Sequence, residues 1–337
     1  MTDAWGLALS DQAAAGDGIL HVAWLYRTQG EHLDGIRDLA WAGESAGEPV
    51  LIAVPGGRKA LGWDGAGERA GTQILDTADL GRNPARLMPL VRAFAAEHEG
   101  RRVRVVCELA WPGRSAPELG EVARYEMMVN LAFATTPMTM LCPYDVAGLP
   151  RLAITAACTS HPWLRQGDSD SDNREYRAPR DGLAGPEPPL PIPPRATAMS
   201  YRHDLRPVRA LVAAEATRAG LSRSRRTDLV IAASEVAANT LKHTDDAGLV
   251  RIWATGDEVL CQFDDSGHIT DPLAGYGRPA PDEPGGQGLW LVNQVCDLAE
   301  IRTSALGTTI RLHMFLDGAR PDLADEVSAR QPRRGSL

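Results

Sequence analysis

Short apolar runs alternate with longer amphipathic stretches in the first half of the chain. The amphipathic stretches at residues 85–98 and 121–134 have the spacing of helices. The apolar runs predict strands at Leu20–Tyr26, Pro49–Val54, Val103–Leu109 and Met138–Pro143. Strands that alternate with helices are typical of α/β domains with a largely parallel sheet. The pattern therefore predicts an N-terminal α/β domain with a mainly parallel sheet over residues 1–165.

The second half of the chain begins with helical patterns and continues mostly with strands. The helical patterns cover Leu205–Ala219, Asp228–His243 and Gly288–Cys296. The predicted strands are Leu249–Ala254, Glu258–Phe263, Ala299–Thr303 and Thr308–Phe315. This mixture predicts a C-terminal two-layer α/β sandwich over residues 198–318.

A proline-rich segment separates the two halves. Seven prolines lie between residues 179 and 194, and a polar run precedes them. Such a composition cannot bury a core, so we expect an extended linker over residues 166–197. The polar residues 319–337 predict a disordered tail.

The composition narrows the classes of partner. The chain has 337 residues, enough for about two domains of ordinary size. Its formal net charge of -9 argues against a nucleic-acid backbone or an anionic membrane as the main partner, because both attract basic surfaces. We therefore expect no direct binding to nucleic acid and no binding to a membrane.

The cysteines and the apolar runs bear on location. The five cysteines show no C-x-x-C spacing, so neither a zinc cluster nor a disulfide framework is indicated. The N-terminus lacks a basic region followed by an apolar run, and no long uncharged apolar stretch follows later. A reducing cytoplasm fits these features best.

One predicted helix carries candidate chemistry. Glu235, Asn239 and His243 lie one turn apart and share one edge of that helix. The opposite side is apolar and can face a core, with Leu229, Ala233, Val236, Ala237, Thr240 and Leu241. A metal–phosphate site needs such a pair, because Asn offers a neutral oxygen to a hard cation and Glu can take a proton. His243 could orient the phosphate end or could simply be a surface residue.

Two glycine motifs follow this helix in the chain. The first, Asp264-Asp265-Ser266-Gly267, ends a predicted strand. The second, Gly285-Gly286-Gln287-Gly288-Leu289, is a glycine-rich turn that opens a predicted helix. Such a turn presents amide N–H groups to phosphate oxygens. Each motif alone is common, but their order on the predicted elements indicates a nucleotide site.

Over residues 198–316 these motifs resemble the GHKL, or Bergerat-fold, ATPase domain of gyrase, histidine kinases and bacterial anti-sigma-factor serine kinases. The resemblance implies ATP and magnesium as cofactors. Asn239 would hold the magnesium ion, and Glu235 would be the catalytic general base. The remaining implied nucleotide-binding residues are Asp265 and Gly267 at the adenine, Gly286, Gly288 and Leu289 at the phosphates, and Thr309 near the adenine.

The chain departs from the family pattern between these motifs. Ile269 stands where the family has the second glycine of D-x-G-x-G, which alters one wall of the adenine pocket. The lid over residues 269–284 is short and rich in Pro and Gly. It resembles the compact serine-kinase branch more than gyrase.

The first half of the chain resembles a different family. Gly18–Tyr26, Leu141–Asp145 and His161-Pro162 are similar to segments of the MEDS sensory domain, over about residues 10–165. This resemblance implies a sensory role, with a small organic compound as the signal. His21, Cys142 and His161 could form a soft metal or thiolate site if the fold brings them together. The alternative that we favour from sequence is that they are core residues, because a lone Cys is usually buried and inert.

The two resemblances together imply a cytoplasmic regulator. A sensory domain would control an anti-sigma-type serine/threonine kinase that binds a sigma factor and phosphorylates an anti-sigma antagonist protein. One alternative is an ATP-dependent protein-binding module without turnover. Another is a sensor histidine kinase acting on His203, which Asp204 follows. Only about 30 residues separate His203 from Glu235, too few for a dimerising helical hairpin, so we predict that His203 is an exposed residue of the first helix. A homodimer is possible, but the sequence does not assign a surface for it.

Overall fold

The computed structural model describes residues 18–63, 71–167, 169–179, 189–278, 286–304 and 306–319. The chain divides into two compact units, one up to Gly185 and one from Pro186, and each is described by itself. The centre of the predicted linker at residues 180–188, the end of the predicted lid at 279–284, Gly285 and the predicted tail from residue 320 lie outside the described residues.

The first unit contains a seven-stranded sheet in the order β3-β2-β4-β5-β1-β6-β7. All neighbouring strands run parallel except β7, which is antiparallel to β6. The strands are β1 Ile19–Tyr26, β2 Val50–Val54, β3 Thr72–Asp76, β4 Val103–Cys107, β5 Met138–Asp145, β6 Trp163–Gln166 and β7 Ser169–Asp172. The central strands β1, β2 and β5 are buried along nearly their whole length, as apolar runs in a parallel sheet should be.

Helices connect these strands. They are α1 Gln29–Ala46, α2 Gly57–Leu61, α3 Thr77–Leu80, α4 Leu87–Glu97, α5 Ala116–Ala132 and α6 Arg151–Ser160, with a short 3-10 turn at Pro84–Arg86. Ser115 and Glu118 form a capping box at the start of α5, where each side chain bonds the other residue's backbone N–H. Such a cap fixes the position of α5, a helix that carries buried acidic residues such as Glu126.

Ordered structure continues past residue 166, where the composition predicts the start of the linker. Residues 169–172 form β7 and pair with β6. Arg165 and Asp170 bond across this hairpin at 2.7 Å, and their side chains are only 4% and 5% exposed. A nearly buried ion pair therefore holds a polar segment in the sheet that its sequence does not mark as a strand.

The second unit contains a five-stranded antiparallel sheet in the order β11-β12-β10-β9-β8, with helices on one face. The strands are β8 Thr197–Tyr201, β9 Gly248–Ala254, β10 Glu258–Asp265, β11 Leu298–Ser304 and β12 Gly307–Phe315. The helices are α7 Arg206–Ala219, α8 Arg223–His243 and α9 Gln287–Val295. The predicted fold classes of both halves are confirmed.

Helix α8 is the central helix of the second unit. Its apolar side packs against β10 and β12, with Val236, Ala237 and Phe263 almost completely buried. The predicted core stripe of this helix lies inward, and Glu235 and Asn239 lie at the edge of the stripe, half-buried. No helix within the described ranges is both long enough and apolar enough to cross a bilayer.

The other face of the second sheet carries a buried polar network. His313 Nδ1 lies 2.8 Å from Glu258 Oε2, and His313 Nε2 lies 2.9 Å from Glu300 Oε1. Burial opposes the charged imidazole, but hydrogen bonds to the two carboxylates and their charges raise the pKa of His313 from 6.5 to about 9. The imidazolium bridges two strands, because Glu258 and Glu300 stand on β10 and β11.

This bridge predicts a pH dependence of stability. Because the folded pKa lies above the unfolded value, the contribution is complete below about pH 6.5 and is lost as the pH rises through about 9. We expect the second unit to lose about 3 kcal/mol of unfolding free energy over this range. Urea unfolding of the full chain at several pH values, followed by circular dichroism, measures the loss.

The matched variant is His313→Gln, which cannot titrate between these pH values. It should be less stable at the lower pH values, because Glu258 and Glu300 lose the cation that they share, although Glu300 keeps Arg302 at 3.3 Å. Its stability should nevertheless fall much less than that of the unmodified chain between pH 6.5 and 9. Parallel curves for the two proteins would contradict the assignment.

Candidate functional site

Glu235, Asn239 and Gly288 meet where α8 passes the first turn of α9. A Cβ atom added at Gly288 would lie 3.0 Å from Glu235 Oε2 and 3.3 Å from Asn239 Nδ2. A side chain at this position would push the ends of the Glu235 and Asn239 side chains aside, so glycine leaves both in place. The structure thus brings together three residues that the sequence assigns to the metal and phosphate end of the site.

Glu235 and Asn239 are both half-buried at this point. Neither side chain makes a hydrogen bond or ion pair with any residue in the part of the chain that the structure describes. Partly buried polar groups usually have partners. A carboxylate and an amide that lie side by side without protein partners are suited to a bound cation or to a proton transfer.

The N-terminus of α9 lies beside this pair. Gly286 is the residue before the helix, with φ of 76°, and its first turn has no side-chain cap from the described residues. A positive φ at this position favours glycine. The first N–H groups of a helix have no partner within the helix, and they carry the positive end of its dipole. Leu289 packs partly buried against the core and holds this turn in place.

Asp265 ends β10 and has two hydrogen bonds to its carboxylate. Its Oδ1 accepts the Gly267 N–H at 2.8 Å, and its Oδ2 accepts the Thr240 hydroxyl at 2.6 Å. An ionised carboxylate has about four acceptor positions, so the half-buried Asp265 keeps capacity for a ligand donor. These two bonds fix its orientation.

A buried hydroxyl chain supports Asp265 from behind. The Tyr201 hydroxyl lies 2.9 Å from Thr240 Oγ1, and Thr240 is bonded to Asp265. Burial raises the pKa of Tyr201 to about 12, so its hydroxyl stays protonated and donates to Thr240. The sequence indicates Thr240 only as a core residue and does not indicate Tyr201. Their contact joins β8 to α8 and depends on the fold.

The last strand contributes Thr308 to this site, and it turns Thr309 away. In the antiparallel register Asp265 pairs with Thr308, and Asp264 pairs with Thr309. Thr308 Oγ1 donates to the Gly267 carbonyl at 2.7 Å. Thr309 Oγ1 donates to Asp264 Oδ1 at 2.7 Å, on the opposite face of the sheet. Thr308 therefore lies on the face of Asp265, and Thr309, which the sequence assigns near the adenine, lies on the opposite face, because neighbouring residues of a strand face opposite sides.

Gly307 explains why β12 can follow Asp265 so closely. Its φ is 125°, and a Cβ atom at this position would lie 2.0 Å from the Asp265 carbonyl oxygen. Any side chain would collide with backbone here. The turn between β11 and β12 therefore presses against the strand end that carries Asp265.

The described part of the lid is tied to the domain at both of its ends. Ile269 packs against the core, and its N–H donates to Thr303 Oγ1 at 3.3 Å. Near the other end, Asn293 Nδ2 of α9 donates to the Gly275 carbonyl at 3.1 Å. Ile269, the departure from the family's glycine, thus serves as a packing residue between Gly267 and the lid.

The two histidines that the sequence analysis discusses in the second unit, His203 and His243, both lie at the surface. His203 is exposed and lies in a bend before α7, which begins at Arg206. The prediction that it is exposed agrees with the structure, but the prediction that it lies on that helix is wrong, because the helix starts three residues later. His243 is the last residue of α8 and is also exposed.

Comparison with known proteins identifies both units. Residues 20–162 match the family described as the MEthanogen/methylotroph, DcmR Sensory domain, abbreviated MEDS. Residues 200–314 match the histidine kinase-like ATPase domain family. No curated protein matches the chain.

One similar solved structure contains the RsbU and RsbW domains of a protein from Mycobacterium tuberculosis. It is 20% identical, and the match covers 60% of this chain and 49% of that chain with a TM-score of 0.26. The chain therefore spans about half the length of that structure.

The hydroxyl chain behind Asp265 predicts unequal effects of two substitutions. Thr240→Val leaves both Asp265 Oδ2 and the buried Tyr201 hydroxyl without this partner, and we expect it to cost about 1–3 kcal/mol of unfolding free energy. Tyr201→Phe removes the donor and leaves the Thr240–Asp265 bond intact, so we expect a cost of about 0.5–1.5 kcal/mol. Urea unfolding followed by circular dichroism measures both costs, and a larger cost for Tyr201→Phe than for Thr240→Val would contradict this order of hydrogen bonds.

Proposed function

We propose that this chain, which joins a MEDS domain to a histidine kinase-like ATPase domain, is a signalling regulator that binds ATP with magnesium and phosphorylates a serine or threonine of a partner protein. The observation that carries the proposal is the meeting of Glu235, Asn239 and Gly288 at the N-terminus of α9. A carboxylate, a neutral oxygen ligand and unbonded helix N–H groups are the parts that phosphoryl transfer needs.

The residues present fit a bound nucleotide with its metal. Asn239 Oδ1 would be a ligand of magnesium, and the N–H groups of the first turn of α9, from Gly286 to Leu289, would bind phosphate oxygens. Magnesium supplies charge neutralisation when bound. Asp265, with acceptor positions still open, would accept a hydrogen bond from the adenine amino group, and Gly267 and Thr308 would line the base.

Glu235 would act as the general base in this site. Its carboxylate lies beside Asn239 and Gly288 and has no cationic partner within the described residues. An unpaired carboxylate can orient a serine hydroxyl and accept its proton as the new bond to phosphorus forms. This assignment distinguishes a kinase from a protein that only binds nucleotide.

The finer parts of the proposal concern the partners. We propose an anti-sigma role, in which the second unit binds a sigma factor and phosphorylates an anti-sigma antagonist in the cytoplasm. The short lid, described as far as Arg278, supports this branch of the family. The first unit would bind a small organic signal, in keeping with the sensory family that it matches. The chain would form a homodimer, as related switch kinases do.

One observation favours a second candidate function. Ile269 replaces a glycine of the family motif and packs into the core instead of leaving space beside Gly267. A site whose wall departs from the family motif in this way suits a module that binds ATP without turnover and changes its affinity for a partner. A histidine kinase is less well supported, because His203 lies in an exposed bend and not on a helix.

The nucleotide site predicts which of two adjacent threonines matters for binding. Thr308→Val removes a hydroxyl on the face of Asp265, and we expect it to weaken binding of a non-hydrolysable ATP analogue about five- to tenfold. Thr309→Val is the matched control, because its hydroxyl bonds Asp264 on the other face. Calorimetric titration of the full chain with magnesium measures both.

Asp265→Asn and Asn239→Ala should act differently in the same titration. Asp265→Asn should weaken binding about tenfold or more with and without magnesium. The amide N–H₂ group would then replace an oxygen that accepts a hydrogen bond from the adenine amino group. Asn239→Ala should remove only the magnesium-dependent part. If the folded full chain binds no analogue, or if Thr309→Val weakens binding as much as Thr308→Val, the proposed site is wrong.

The kinase assignment predicts that Glu235→Gln separates binding from transfer. The analogue should bind with nearly unchanged affinity, and transfer of labelled phosphate from ATP to host-cell proteins should fall about 10²- to 10⁴-fold. Acid-stable label on serine or threonine supports the proposal. Acid-labile label on this chain would support the histidine kinase, and binding without transfer would support the ATP-dependent module.

A further inference from the structure

Four metal-ligating side chains meet in the interior of the first unit. They are His21 on β1, Glu126 on α5, Cys142 on β5 and His161 directly after α6. Each residue is at most 1% exposed. One ligating atom from each lies within 4.8 Å of the other three. The sequence allows a metal or thiolate site at the two histidines and the cysteine if the fold brings them together, but it does not indicate Glu126.

Four of the six separations between these atoms match a tetrahedral metal site, and the other two lie within 4.8 Å. Glu126 Oε2 lies 3.2 Å from His21 Nε2, 3.6 Å from His161 Nε2 and 3.5 Å from Cys142 Sγ. Cys142 Sγ lies 3.4 Å from His21 Nε2. Tetrahedral zinc with bonds of about 2.0–2.3 Å places neighbouring ligand atoms roughly 3.3–3.8 Å apart. The four atoms therefore surround a space of the size that one ion needs.

Hydrogen bonds outside the cluster fix both imidazole tautomers. Asn130 Nδ2 donates to the carbonyls of Glu126 and Ser160, so Asn130 Oδ1 faces His21 Nδ1 at 3.1 Å and accepts its proton. His161 Nδ1 lies 2.9 Å from the Ala157 carbonyl and must donate to it. Both Nε2 atoms consequently carry lone pairs that point toward the cluster.

Hydrogen bonds among the four side chains cannot satisfy all four of the atoms that face one another in the cluster. His161 Nε2 is buried and has no hydrogen-bond partner among the described residues. Both rings are completely buried, and each Nδ1 already has a partner, Asn130 Oδ1 for His21 and the Ala157 carbonyl for His161. Two lone pairs, a carboxylate oxygen and a sulfur thus converge in a dry interior. A cation satisfies all four, whereas a proton on Glu126 or Cys142 leaves His161 Nε2 without a partner.

The charge and the ligand types select the metal. A divalent cation balanced by the Cys142 thiolate and the Glu126 carboxylate gives a neutral site, which can be buried without a further counter-ion. Two imidazoles, one thiolate and one carboxylate in a tetrahedron are ligands that zinc accepts. The Tyr144 hydroxyl donates to Glu126 Oε1 at 3.4 Å and leaves Oε2 for the ion.

We propose that His21, Glu126, Cys142 and His161 bind one zinc ion in the first unit, with Asn130 as a positioning residue. All four positions of the ion are filled by protein, so the site is closed. The ion would join two adjacent central strands to α5 and to the end of α6. Its occupancy would therefore set the stability of the first unit, independently of nucleotide binding by the second.

The test uses the full chain after removal of metal with a chelator. We expect one zinc ion per chain on dialysis, measured by elemental analysis, and a higher unfolding temperature with zinc than without it. Cobalt in place of zinc should give the visible absorption of a tetrahedral ion together with a thiolate-to-cobalt charge-transfer band. This spectrum of the unmodified chain does not depend on whether any variant folds.

Three variants complete the test. Cys142→Ala should lose the charge-transfer band, whereas Cys158→Ala, which changes a half-buried cysteine outside the cluster, should keep it. Asn130→Ala keeps all four ligands and should lower the zinc affinity about 10–100-fold. A folded, unmodified chain that takes up no zinc, a cobalt spectrum without a thiolate band, or unchanged binding in Cys142→Ala would overturn the proposal.

Discussion

The close approach of α9 to α8 at Gly288 is the constraint on which the site of the second unit depends. It places the first N–H groups of one helix beside the carboxylate and amide of another, with no side chain between them. The apolar side of α8 is held by the sheet, and Leu289 holds the start of α9 against the same core. Polar groups remain half-buried without protein partners because packing on both sides positions them.

The elements that could be predicted from the sequence are those with strong apolar periodicity. Strands β1, β2, β4 and β5 and helices α4 and α5 lie near their expected places. Helix α1 was not indicated, since only four of its 18 residues are buried and two of these are small. Strands β3 and β7 carry too few apolar residues to mark them, and their pairing with neighbouring strands decides their structure.

Within the site, the difference between local and long-range information is clear. Glu235 and Asn239 lie on one helix, so their spacing alone places them together. The register of β12 against β10 decides whether Thr308 or Thr309 faces Asp265. This register cannot be derived from a single sequence. Glu126 approaches His21 only because α5 packs beneath two strands that are more than one hundred residues apart in the chain.

Tyr201 stands on β8, the edge strand that directly follows the linker, and one intermediate hydroxyl separates it from Asp265. A hydrogen bond of this kind is worth about 1 kcal/mol, which corresponds to roughly a fivefold change in a binding constant. In the proposed nucleotide site, a shift of the edge strand by the length of one bond would thus alter ligand affinity although Tyr201 itself does not contact the ligand. The position of the edge strand would therefore affect the proposed pocket through the hydroxyl groups of Tyr201 and Thr240.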